Sequence, residues 1–267
     1  MIQVPFSEPL DEAWTSWRSR ATRATKTLTD NFKSGASYRI REALYKEMRQ
    51  VFLDAYHGKC AYCEAKIILD QHSGDVEHYR PKRRVTDDNG KPVTLASSQG
   101  PPRQHPGYPW LAYDPHNLLP SCIGCNRPGT TRQGKRVGKW DRFPVSRFRA
   151  SAPGEEGREK PLLLHPAFDN PEDHLGLDIS TGVIYGKTKR GATTIELLNL
   201  NREGLPEERR KTYLSVAAII GSARTETDNP ARLREWLELL AKYQAGIEAY
   251  SWPGRLALTN ANPGPAP

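Results

Sequence analysis

Cysteine and methionine are scarce in this 267-residue sequence, at 4 and 2 residues. So few cysteines exclude a disulfide-dense secreted scaffold. Long apolar runs are missing too. No stretch approaches the ~20 apolar residues that a membrane span needs. The opening residues, Met1 to Glu8, show no basic segment followed by an apolar one, so a secretory signal is not expected and a cytoplasmic location is. Negative charge is in deficit: 31 Asp and Glu stand against 39 Lys and Arg, a formal net charge of +8. Mean hydropathy is low, at -0.71. The 6 Trp, 11 Tyr and 6 Phe nevertheless supply enough aromatic mass for a core, which excludes a wholly disordered chain.

The positive excess is localised. Residues 80–149 hold 14 Lys or Arg and 4 Asp or Glu, while the rest of the chain holds 25 and 27. Clustered positive charge gains affinity for a polyanion by releasing counterions from phosphates. A solvated basic loop has the same composition, and charge alone does not choose between them. The four cysteines, Cys60, Cys63, Cys122 and Cys125, form two Cys-x-x-Cys pairs with none left over. Four thiolates are the ligand count of a closed tetrahedral zinc site. The long intervening loop is no obstacle, because loop-closure entropy grows slowly with length. Redox chemistry of the thioredoxin type needs one such pair in a βαβ context, which the sequence lacks.

Apolar periodicity predicts helices over 8–33, 37–57, 191–199, 206–225 and 230–250. The first carries Leu10, Trp14, Trp17, Ala21, Ala24, Leu28 and Phe32 at three- and four-residue spacing, as a core or partner stripe. The fourth carries Leu214, Ala217, Ala218 and Gly221 on one face. Short strands are predicted at 66–69, 75–79 and 162–164, and a β-hairpin over 175–185 turning at Ser180-Thr181-Gly182. Residues 83–109, rich in proline, and 127–160 read as loops. The expected organisation is a helical N-terminal arm over 1–57 and a zinc-bearing core over 58–150. A β-hairpin plus helical region over 151–259 and a flexible tail over 260–267 complete it.

Between the cysteine pairs stand Glu77-His78-Tyr79-Arg80-Pro81-Lys82 and His116-Asn117; Asn126 directly follows the last cysteine. A metal on the four thiols would bring Asn126 close to the strand carrying Glu77 and His78. Successive strand residues face opposite ways, so Glu77 and His78 can share a site only if one lies at a bend or a strand end. This order of residues resembles the HNH endonucleases with their ββα-metal motif. The phrases Gly58-Lys59-Cys60-Ala61-Tyr62-Cys63-Glu64, Asn117-Leu118-Leu119-Pro120-Ser121-Cys122 and Arg142-Phe143-Pro144 are similar, more narrowly, to the PtuB-type HNH nucleases of Septu and retron-associated anti-phage systems. The segments 163–175 and 194–202 share that flavour.

The resemblance implies an α+β fold, mainly helical, with a central zinc-stabilised ββα-metal HNH core and a small β-hairpin. It aligns His78 with the general base that activates water for attack on phosphorus, a task suited to an imidazole. Glu77 and Asn126 align with the ligands of a catalytic metal, and Asn117 with the residue that holds the His-bearing loop. Asn126 stands where the family more often has His; an amide oxygen shifts the implied ion towards Mg²⁺ or Mn²⁺. Arg80, Lys82, Arg83 and Arg84 follow the base and are expected on phosphates, as are Arg127 and Lys135. Trp110 and Trp140 are expected to pack beside the zinc core. The implied function is metal-dependent hydrolysis of DNA, with an SMC/ABC-type, PtuA-like ATPase as partner and no membrane association. The alternative is a non-catalytic zinc-containing nucleic-acid-binding adaptor.

Overall fold

In the computed structural model, residues 1–67, 74–95, 101–226 and 228–261 are described. The outer parts of the expected strand at 66–69 and of the expected tail at 260–267 lie outside them. The fold is α+β: helices predominate and the strands pair two by two, always antiparallel.

Helix α1 spans Glu12–Ser34 and starts four residues later than the periodicity predicts. The Asp11 carboxylate accepts from the Trp14 backbone N–H, which fixes the first turn, and leaves Leu10 outside in solvent. Gly35, left-handed at φ 72°, ends it. The buried stripe is Trp14, Trp17, Ala21, Ala24 and Leu28. The expected helix over 37–57 is two shorter ones, α2 (Glu42–Lys46) and α3 (Arg49–Ala55). Together with α1 they enclose a core containing Leu44, Tyr45, Phe52, Tyr113 and Leu118.

Strand β1 (Gly74–His78) pairs with β4 (Leu118–Cys122), Glu77 opposite Leu119 and His78 opposite Leu118. Helix α4 (Ile123–Asn126) follows β4 without a break. Two expected loops contain minimal ladders instead: β2 (Thr94–Leu95) with β3 (Arg103–Gln104), and β5 (Gly129–Thr130) with β6 (Arg136–Val137). The prolines flank these two-residue pairs and do not interrupt them. The hairpin is β7 (Leu175–Leu177) and β8 (Ile184–Gly186). Residues 162–164 form no strand; Leu163 and Leu164 are buried from an irregular segment.

Helices α5 (Lys189–Leu198), α6 (Leu205–Thr225), α7 (Pro230–Ala245) and α8 (Ser251–Ala261) complete the chain. On α6 the buried side is Leu205, Arg209, Val216 and Ile220, so Leu214 faces out, contrary to the expected face. The last helix escapes the periodicity because Gly246 breaks the pattern and α8 begins with Ser251-Trp252-Pro253. One core joins the cysteine segment to Leu163, Leu175, Leu198 and Trp252, so the two cysteine pairs are packed from both ends of the chain.

Trp17 is fully buried, and its indole N–H donates to the Leu44 carbonyl at 2.6 Å, tying α1 to α2. Trp17→Ala should cost about 3–5 kcal/mol, read as a lowered denaturation midpoint.

Candidate active site and metal centre

The four cysteines come together. All are buried, and their sulfurs lie within 4.8 Å of one another. Cys63 and Cys122 sulfurs are 3.6 Å apart. Four sulfurs around a tetrahedral zinc, each at ~2.3 Å, stand ~3.8 Å from one another, so this cluster has the size of such a site. Cys60 and Cys63 lie on a tight turn in which the Glu64 N–H donates to the Cys60 carbonyl. Cys122 ends β4 and Cys125 sits in α4. The set could therefore hold a metal ion such as zinc.

A cation completes the cluster. Arg202 donates to the sulfurs of Cys125 and Cys63 at 3.4 Å and of Cys122 at 3.3 Å. Burial opposes its charge, yet the facing Cys125, Cys63 and Cys122 outweigh that and hold the guanidinium more firmly protonated than usual. Hydrogen bonds from Cys122 and its neighbours in turn hold the Cys63 thiol well below its ordinary range. Nothing in the spacing of the cysteines points to Arg202, which lies beyond α5.

On the other side of β1, Glu77, His78 and Asn126 line one cavity of about 600 Å³. His78 is the last residue of β1, which is the strand-end placement that lets both it and Glu77 face the same space. The His78 Nε2 lies 3.0 Å from the Ala112 carbonyl. A carbonyl only accepts, so Nε2 carries the proton and Nδ1 keeps the lone pair. Nδ1 lies 3.4 Å from the Lys82 ammonium, and the Tyr45 ring packs edge-on against the imidazole. Burial, followed by the Lys82 charge, pushes the imidazole well below its usual range, so it is neutral at neutral pH.

Glu77 is buried against Lys139, whose ammonium donates to Glu77 Oε1 and to the His78 carbonyl, each at 2.6 Å. Burial raises the Glu77 carboxyl above its ordinary range, and Lys139 offsets this only in part. The backbone N–H groups of Lys139 and Trp140 donate to the carbonyls of Cys125 and Asn126, so one segment clamps α4 to β1. Gly138 makes the clamp sterically feasible: at φ 85°, a Cβ there would stand 1.8 Å from the Arg127 carbonyl oxygen. The Asn126 Oδ1 is buried with no hydrogen-bond partner among the described residues. Asn117 accepts from the Arg80 N–H at 2.7 Å and donates to the carbonyls of Arg80 and Leu111, fastening the loop after His78.

The predicted phosphate contacts divide. Lys82, Arg83 and Arg84 line the cavity, the two arginines paired with Glu42 and Asp141 at 3.1 and 2.5 Å. Arg80 points elsewhere, into an ion pair with the buried Glu159 at 2.8 Å. Arg127 is exposed beyond α4, and Lys135 pairs with Glu196 at 3.1 Å. Trp110 is buried, whereas Trp140 is half exposed on the cavity rim.

The chain is similar over 173 residues to the Septu protein PtuB of Bacillus mycoides (strain KBAB4), at 37% identity, covering 62% of this chain and 52% of that one. The chain is homologous to the Septu PtuB proteins. PtuB of Bacillus thuringiensis aligns at 24% identity over 155 residues, 58% of this chain and 41% of the relative. The Septu protein PtuA of the same B. mycoides strain aligns at 34% identity over 179 residues, which is 66% of this chain and 21% of PtuA. The chain thus spans about half or less of the length of these homologues. No family model and no solved structure matches it. None of the helices is long and apolar enough to cross a membrane among the described residues.

Metal analysis of purified protein should return about one zinc per chain. Cys60→Ser should give unfolded or insoluble protein, because metal binding in such a site is folding free energy. Arg202→Gln should stay folded at excess zinc but release the metal to a competing chelator about 10–100-fold more readily, as loss of an outer partner of the ligands does.

Proposed function

We propose that the chain is a metal-dependent HNH endonuclease that hydrolyses DNA phosphodiester bonds within a Septu-type anti-phage defence system. The reading assigns the nuclease unit to residues 58–150. The observation that carries it is one cavity lined by His78, whose Nδ1 keeps its lone pair, by the buried Glu77 and by Asn126, whose buried Oδ1 has no hydrogen-bond partner among the described residues.

In this reading β1, β4 and α4 are the two strands and helix of the ββα-metal motif, and the four cysteines hold structural zinc. His78 takes the proton from the attacking water onto Nδ1 while the Ala112 carbonyl holds Nε2–H and so fixes the tautomer. Glu77 and Asn126 present hard oxygen donors suited to Mg²⁺ or Mn²⁺. A buried carboxylate that meets Lys139 through Oε1, in a cavity also lined by the residue with the orphaned amide oxygen, is an oxygen donor set that could take one cation. That ion, when bound, neutralises charge developing on the phosphorane and on the leaving oxygen. Lys82 leaves the imidazole for the entering phosphate, and Arg83 and Arg84 contact neighbouring phosphates. Asn117 keeps the loop after His78 in place and touches no reacting atom. The products carry 5′-phosphate and 3′-hydroxyl ends.

Control by an SMC/ABC-type ATPase subunit is part of the same reading. It rests on the resemblance to PtuB and on a homologue named PtuA, in which the stretch like this chain is about a fifth of the whole. The adaptor alternative, a zinc module that binds nucleic acid without cutting, predicts no pressure to keep a base, a carboxylate and an amide oxygen in one cavity.

Supercoiled plasmid should be cut in Mg²⁺ or Mn²⁺ and spared in EDTA, with the ATPase added if the chain alone is silent. His78→Ala should fold, keep its zinc and bind DNA, and lose about 10²–10⁴ in rate. Asn126→Ala should recover partly at high Mn²⁺. A zinc-loaded His78→Ala protein that cuts as fast as wild type places the active site elsewhere. A wild-type chain that binds DNA and never cuts, with or without the ATPase, is the adaptor.

A further inference from the structure

A second cavity, of about 1360 Å³, opens between α1 and the segment leading into α2. Its wall holds five arginines, Arg20, Arg23, Arg39, Arg41 and Arg83, against two carboxylates, Glu42 and Glu47. The carboxylates are already engaged: Arg20 meets Glu47 through its two terminal guanidinium nitrogens at 2.8 and 2.5 Å, and Arg83 meets Glu42 at 3.1 Å. Arg23, Arg39 and Arg41 are exposed and make no ion pair among the described residues. The wall therefore carries three uncompensated positive charges outside the basic segment at 80–149.

One wall of the groove is linear, and of the three free arginines Arg23 stands on it, with Arg39 and Arg41 on the segment that follows α1. Arg20, Arg23, Thr27 and Asn31 recur at three- and four-residue spacing and so form one polar face of α1. The eleven residue steps from Arg20 to Asn31 span ~16 Å, at ~1.5 Å per step. One strand of a duplex carries a phosphate every ~3.4 Å of axis, so this face matches about five of them. The groove adjoins the active-site cavity, since the ion-paired Glu42 and Arg83 line both.

We propose that this groove is a nucleic-acid track, in which Arg23, Arg39 and Arg41 hold the phosphate backbone of a strand that runs on past Arg83 into the Glu77/His78 cavity. The proposal rests on the nuclease reading and extends it to the N-terminal helices. An acidic protein surface is the competing occupant. Nucleic acid is favoured because the groove with the free charges adjoins, at Arg83, a cavity walled by Lys82, Arg83 and Arg84, so that one polyanion can meet both.

The test compares two full-length zinc-loaded proteins, His78→Ala and the same chain carrying Arg23→Gln, Arg39→Gln and Arg41→Gln, so that neither cuts. Zinc content and melting temperature should agree between them, since all three arginines are exposed. Affinity for a duplex of some thirty base pairs is measured across a salt series. Three lost contacts should lower the slope of log affinity against log salt by about 2.7. A duplex too short to reach α1 should bind both proteins alike. An unchanged slope on the long duplex, with binding by the parent intact, overturns the track and leaves the active site standing. Loss of co-purification with the ATPase at unchanged DNA binding overturns it in favour of a protein-docking face. A parent that binds no nucleic acid overturns the track and the nuclease reading together, whereas a wild-type chain that binds along the groove but never cuts removes only the nuclease reading.

Discussion

Four sulfurs within 4.8 Å of one another are the constraint on which the rest of this structure depends. Cys60 and Cys63 come from a turn after the N-terminal helices; Cys122 and Cys125 bracket the passage from β4 into α4. Closing the cluster fixes where β4 ends. The β1–β4 register then fixes His78 at the far end of its strand, opposite Leu118. The same closure aims α4 so that its last residue, Asn126, lies in the cavity with Glu77 and His78. A strand pair this short is marginal on its own. Here it is held at one end by the cysteines and at the other by Asn117, which bonds both sides of the turn at Arg80.

Buried cations are placed where this arrangement concentrates negative charge. Arg202 meets three sulfurs, Lys139 meets Glu77, and Lys59 donates to the carbonyls of Gly246 and, at 2.9 Å, Glu248. An unpaired buried ammonium or guanidinium is costly, whereas one wholly engaged by anionic or carbonyl partners is tolerated. Each of these also joins distant segments. Arg202 brings the end of α5 onto the cysteines, Lys139 joins the segment after α4 to β1, and Lys59 joins the cysteine turn to the loop between α7 and α8. The basic excess of the sequence thus has two destinations. Part is consumed inside as cross-links, as with Lys139 and Arg142, whose guanidinium donates to the carbonyls of Gly138 and Leu197. Part remains at the surface.

What the sequence reveals and what it hides divide by the range of the interactions. The cysteine cluster was legible because ligand number and spacing are a local code. The α1 stripe and the β7–β8 hairpin were legible because one buried face imposes a period. Glu77, His78, Asn117 and Asn126 were picked out because their order around the cysteines resembles the HNH motif, and the structure brings Glu77, His78 and Asn126 to one cavity. Arg202 closes the family-like segment 194–202, but its place against the sulfurs was not legible, because a partner 77 residues beyond Cys125 leaves no spacing to read. Nothing in the sequence marks Lys139 among the basic residues of 127–160; only its complete burial separates it from the exposed Arg132. The split of 37–57 into two helices, and the two-residue ladders in the proline-rich loops, are decided by packing. Arg80 shows the same limit from the other side. Its place after His78 suggests a phosphate contact, yet Glu159, brought from far along the chain into the core beneath it, turns the guanidinium inward. A net charge count over 80–149 therefore overstates what that segment offers a ligand, and the free arginines of α1 and its following loop, hidden in a segment of balanced composition, are missed by the same count.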